Sequence, residues 1–150
     1  DLSYLHAMTG IQKGQRCSTN KQRTNYIKKT NELVKLNLKE SIKNKDIDTD
    51  RAFKYLGIAI HALQDSTSPT HEGFQPWRDD LSYWEMYLHV KSEGEFPGEQ
   101  SPYRKRLHEA VQLAYDIFIG HRSTPQQFFD NNGLLILQTP PTNHKPSSCS

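Results

Sequence analysis

Apolar residues recur at three- and four-residue steps along much of the chain, and no stretch shows convincing alternation with period two. From Asn20 to Lys45, Tyr26, Ile27, Thr30, Val34, Leu38 and Ile42 form one stripe in a charged background, which predicts an amphipathic helix. "NKDIDTD" supplies turn and capping residues, and "TDRAFKYLGIAIHALQD" begins a second helix with Thr49 or Asp50 as N-cap. Phe53, Leu56, Ile60 and Leu63 line one side of it, while Ile58 and Ala62 lie off that stripe. A helix apolar over most of its circumference is expected at the centre of a fold, packed on several sides.

Pro69 ends that helix by disfavouring helical backbone at Ser68, and Gly73 and Pro76 keep the following loop open. Periodicity resumes from about Asp79, with Leu81, Trp84, Tyr87, Leu88 and Lys91 around one side, and stops in the Gly94–Gly98 region. A further helix is marked by Ser101 as cap, Pro102 at its first position, Leu107, Val111, Ala114, Ile117 and Phe118 facing inward, and Gly120 as the stop. A short helix over Pro125 to Phe129 and an extended tail over residues 133–150, with Pro140, Pro141 and Pro146, complete the reading. The fold class is all-α: a compact multi-helix bundle over residues 1–132, then the tail.

Composition changes this picture in two ways. The chain has 150 residues, enough for one domain, yet only 34% are apolar and the mean hydropathy is −0.83. A core this modest invites help from a bound metal. With 19 basic and 17 acidic side chains the net charge is +2, which excludes a binder that holds nucleic acid by charge alone but leaves room for a local basic patch such as "YRKRLH". Cys17 and Cys149 make no disulfide framework and leave the redox compartment open. No stretch approaches the roughly 20 apolar residues of a membrane span, and the first residues lack the layout of a secretory signal. Beginning at Asp1, the chain reads as a fragment or processed product of something longer.

The chemistry concentrates in "HALQDSTSPTH", residues 61–71. On a helix, His61 and Asp65 stand one turn apart on one face, and Gly57, a further turn back, can let another helix or a metal cluster come close. His71 lies past the helix end and can fold back toward the same place. His89 and Glu93 repeat the four-residue spacing, and His6, in "SYLHAMTG", is the remaining histidine near an apolar segment. A lone His/Glu pair at this spacing is usually a surface helix pair. Together, H-x3-D-x5-H followed by H-x3-E forms a ligand set for two borderline divalent ions. His108, His121 and His144 sit among charged or terminal residues and read as solvated.

In these residues the chain resembles the zinc-dependent phospholipase C family and the superfamily it shares with single-strand-specific zinc nucleases. Leu56, Gly57, His61, Asp65, Pro69 and His71 fit the signature of the central helix, and His89 with Glu93 fits the later pair in its phospholipase form. The likeness covers roughly residues 50–93. It implies that His61 and Asp65 hold one zinc, with Asp65 bridging and His6 as the upstream histidine, while His71, His89 and Glu93 hold another. The family's enzymes are longer and complete a trinuclear cluster through a mature N-terminal Trp and further upstream ligands. This chain starts with Asp1, so two zinc ions, or three with a poorer third site, are implied.

"HAMTG" and "HALQDSTSPTHEGFQPW" also resemble C-terminal toxin domains of bacterial Rhs-type polymorphic toxins. That likeness implies a larger carrier chain, secretion or delivery into a target cell, and a cognate immunity protein. The expected activity is phosphodiester hydrolysis, with phospholipid at a membrane surface as substrate and nucleic acid as the alternative. Asp65 and Glu72 are the candidate catalytic carboxylates, Asp65 as a ligand and Glu72 or Asp1 as general base. Phe74, Trp77 and Phe96 are candidates for an apolar rim, and the loop from Phe74 to Asp80 is expected to shape substrate choice. A non-catalytic module with structural zinc is the reading from a different class. Structural sites are closed by four protein ligands, whereas six ligands shared by two metals leave positions open.

Overall fold

A computed structural model describes residues 3–12, 15, 17–68, 70–77, 82–84, 86–87, 91 and 97–136. Three helices dominate: α1 (Asn20–Asn44), α2 (Thr49–Asp65) and α3 (Pro102–Phe118). α2 packs chiefly on α1 and secondarily on α3. Val34 and Leu38 of α1 meet Leu56, Ala59 and Leu63 of α2 and Ala110, Leu113 and Ile117 of α3 in one core. The architecture is all-α, and no helix among the described residues is long and apolar enough to cross a membrane.

α1 starts where Thr19 and Gln22 form a reciprocal capping box. Its stripe is the expected one, extended by polar residues that solve their own hydrogen bonding: Asn37 and Asn44 donate back to the carbonyls of Leu33 and Glu40. Asn31 donates to Ile27, and its carbonyl oxygen accepts from Phe128 N at 2.6 Å. α2 is capped one residue earlier than expected, by Asp48, whose side chain accepts from Arg51 N. It is not enclosed on all sides. Ala52, Leu56, Ala59, Ala62 and Leu63 are buried, but Phe53 and Ile58 face solvent. Small alanines let α1 and α3 approach closely enough to cover only part of its circumference, and the uncovered arc carries Gly57, His61 and Asp65.

α3 keeps the expected Ser101 cap, with Pro102 in its first turn. Gly120, at φ +83°, ends it, and His121 N reaching Asp116 O with Gly120 N reaching Ile117 O completes a Schellman motif. The inward stripe is shifted: Arg106, Ala110, Leu113, Ala114 and Ile117 are buried, while Leu107 and Val111 are only half-buried. The chain after α3 is not helical over Pro125–Phe129. It is anchored by Asn31, and Phe129 pairs with Leu135 in an antiparallel bridge. Packing therefore continues past residue 132: Leu135 is buried, and Gly133 sits directly against the Phe74 ring.

Of the helix expected from Asp79, residues 83, 84, 86, 87 and 91 are described and are helical. Tyr83, Trp84 and Tyr87 are exposed there, with the Trp84 and Tyr87 rings stacked at 5.4 Å. Residues 137–150, and with them the remainder of the tail and His144, lie outside the described residues. Cys17 is disulfide-bonded, a role that the cysteine count did not suggest.

Candidate metal centre

The site is assembled where the N-terminus crosses the open arc of α2. A 3-10 turn, Ser3–His6, is followed by β1 (Thr9–Gly10), which pairs in parallel with β2 (Pro76–Trp77). Thr9 fixes this junction twice, through its N–H to Gln75 O at 3.0 Å and its hydroxyl to Phe74 O at 2.8 Å. Thr30 of α1 donates to Tyr4 O at 2.7 Å and holds the turn from the other side. Ala7 takes the left-handed conformation at φ 51° and is fully buried. A non-glycine residue held there is strained by about 1 kcal/mol, and the reversal it makes aims His6 at α2.

The end of α2 explains the unusual stretch after it. Ser66 and Thr67 turn their hydroxyls back onto the carbonyls of Leu63 and Gln64, each at 2.7 Å, so the last turn closes without continuing the helix. His71 and Glu72 are then stitched to Ser68 O through their backbone N–H groups. His71, buried, donates Nδ1–H to the carbonyl of His6 at 2.7 Å. That bond fixes the tautomer, places the lone pair on Nε2 and ties the loop to the 3-10 turn.

His6 Nδ1 lies 2.9 Å from Asp65 Oδ2 and 3.2 Å from His61 Nε2, and His61 Nε2 lies 3.3 Å from Asp65 Oδ2. Three such contacts cannot all be hydrogen bonds while the carboxylate is ionised. A proton given by His61 to His6 Nδ1 leaves that nitrogen and the carboxylate as two facing acceptors. A cation bound by the three side chains would satisfy all three lone pairs. The three ligand atoms lie within 2.9–3.3 Å of one another, near enough for one ion to be shared by all three. Two imidazoles and one carboxylate are also a donor set that suits such an ion, so the residues fit.

The structure thus brings His6, His61 and Asp65 together and places His71 beside them through the His6 backbone, outside the cluster itself. His89, Glu93, Phe96 and Asp1 lie outside the described residues, as does the Trp77 side chain. His108 and His121 are exposed, as expected. His61 is a surface residue: its side chain is 55% exposed, against 18% for Asp65. Gly57 has no close neighbour among the described residues, since a Cβ there would meet nothing within 4 Å.

Two expectations are corrected. Glu72 is fully buried and its carboxylate pairs with the equally buried Arg106 of α3, so it is no proton acceptor facing a substrate. Burial pushes the Arg106 guanidinium down from its usual value, and Glu109 acts in the opposite sense. Phe74 is no rim residue either: it is buried, edge-on to Phe129 at 5.1 Å, with φ 57° following Gly73 at φ 77°. The pair Glu72–Arg106 escaped the sequence reading because Arg106 sits in "YRKRLH", whose surface-like composition hides one inward position.

Comparison with protein-family models, with curated proteins and with solved structures finds no match to this chain.

Proposed function

We propose that the chain is a zinc-dependent phosphodiester hydrolase of phospholipase C type. The observation that carries the proposal is the convergence of His6, His61 and Asp65 on one point at the surface, from elements 55 and 59 residues apart in sequence. Zinc held there supplies Lewis-acid polarisation of a phosphoryl oxygen and a water acidified toward neutrality. His6 and His61 would hold the ion through ring nitrogens, and Asp65 would add the charge that favours a divalent ion. His71 keeps the His6 turn in register. Both candidate catalytic carboxylates are already committed, Asp65 to the cluster and Glu72 to Arg106.

Lipid is favoured over nucleic acid by two observations. Arg106, central to the basic run after Ser101, is buried and paired, which removes a charge from the expected phosphate-binding patch. Tyr83, Trp84 and Tyr87 expose aromatic surface of the kind that partitions to a membrane interface. The motif likeness to Rhs-type toxin domains adds a carrier chain, delivery into a target cell and an immunity protein to the proposal. The disulfide at Cys17 supports an oxidising working environment.

Elemental analysis of the purified protein, run beside headgroup release from phospholipid vesicles and cleavage of single-stranded DNA and RNA, tests this reading. Stoichiometric zinc and chelator-sensitive headgroup release are expected, both lost in His61→Ala and Asp65→Asn. Nucleic-acid cleavage alone would move the same centre to the nuclease branch. Protein that binds no zinc and cleaves neither substrate would sink the proposal.

A further inference from the structure

α1 carries seven basic side chains, Lys21, Arg23, Lys28, Lys29, Lys35, Lys39 and Lys43, against Glu32 and Glu40. This surplus of five on one helix exceeds the +2 of the whole chain, so the remaining residues are net acidic. At about 100° per residue, the six lysines fall within roughly a third of the helix circumference. Lys21, Lys28 and Lys39 make no ion pair among the described residues, whereas Lys35 and Lys43 reach Glu32 and Glu40 only at 3.4 and 3.9 Å. The same arc exposes Leu36 at 59%.

A lone exposed leucine is ordinary, but this one belongs to a built feature. Leu36, Leu33 and Tyr4 wall a shallow groove of about 650 Å³ between α1 and the 3-10 turn, with Lys28, Lys29 and Glu32 on its edge, the carboxylate of Glu32 being paired with Lys35. Lys29 Nζ lies 5.6 Å from the centroid of the Tyr4 ring and 4.9 Å from that of Tyr26. Tyr4 belongs to the same four-residue turn as His6, so whatever seats in the groove lies next to the metal centre.

We propose that this face of α1, with the Tyr4 groove, is the surface by which the protein docks on an anionic phospholipid bilayer. Apolar walls suit acyl and glycerol carbons, and lysine stems can lie over them while the ammonium groups reach lipid phosphates. Single-stranded nucleic acid would need open aromatic faces for base stacking. Here Lys29 occupies a face of the Tyr4 ring, which favours the bilayer. The inference goes beyond the proposed hydrolysis, and its test reads binding, so either can fail while the other stands.

Co-sedimentation of the full chain with phosphatidylcholine vesicles, with and without phosphatidylglycerol, provides the test. Binding is expected only to the anionic vesicles, weakening as salt is raised. The exposed double substitution Lys28→Glu with Lys39→Glu is expected to lower partitioning on the order of tenfold or more, and Leu36→Asp to lower it at fixed charge density elsewhere. Helical circular dichroism of both variants should match the parent, which separates a lost surface from a lost fold. Equal binding by parent and variants, indifference to lipid charge, or capture of single-stranded RNA in place of vesicles would each overturn the proposal.

Discussion

Glu72 and Arg106 form an ion pair with almost no access to water, and Arg106 Nε and Nη2 carry no further hydrogen bond among the described residues. Breaking such a pair from one side leaves an uncompensated buried charge. Arg106→Met is therefore expected to cost about 3–5 kcal/mol in urea unfolding, while the double variant Glu72→Leu with Arg106→Met recovers most of it. Additive losses would contradict this account. Gly133 and Gly57 should behave in opposite ways. A Cβ on Gly133 would lie 2.6 Å from the Phe74 ring at a residue with φ +77°, so Gly133→Ala should destabilise by more than about 1 kcal/mol. Gly57 has open space, and Gly57→Ala should add about 0.5–1 kcal/mol of stability. If that stabler variant also loses turnover with zinc content intact, substrate rather than packing requires the glycine.

Elements differ in how much of them the chain announces. α1 was legible from its single apolar stripe in a charged background, and α3 from Ser101 and Gly120 at its ends, although its buried face is turned toward Arg106 and Leu113. α2 misled because alanines at 52, 59 and 62 bury fully while larger Phe53 and Ile58 stay outside; residue size, not hydrophobicity alone, decides what fits between close helices. The segment after α3 was unreadable locally. Its backbone is organised by Asn31, 97 residues away, a polar side chain that periodicity counts against the core. Asn31→Ala should strand the Phe128 N–H and cost about 1–3 kcal/mol, with faster hydrogen exchange confined to residues 128–136. Uniform exchange throughout the fold would contradict such a local role. For the candidate metal centre, the spacing of His61 and Asp65 placed both on one face of α2, whereas His6 joins them through the parallel contact of β1 with β2, which two-residue strands cannot advertise.

The whole molecule is held by ties between parts of the chain far apart in sequence. Cys17 is disulfide-bonded. Reduction should lower the unfolding free energy by about 2–4 kcal/mol, seen as a lower urea midpoint; an unmoved midpoint would remove the disulfide from the stability argument. The N-terminal crossing adds another tie, of a different kind. On the proposed reading, an ion shared by His6 and Asp65 closes a ring between residues 59 apart, and fixing such a loop is worth up to about 4 kcal/mol in chain entropy. The net stabilisation by the ion follows mass action: at a free zinc concentration about a hundredfold above the dissociation constant it amounts to about 2.7 kcal/mol, and it vanishes under chelation. Chelated protein should therefore melt earlier and be clipped by proteases first near its N-terminal turn. The zinc supply of the surroundings would then set how firmly the domain is closed, so that starvation for the ion disables fold and chemistry together.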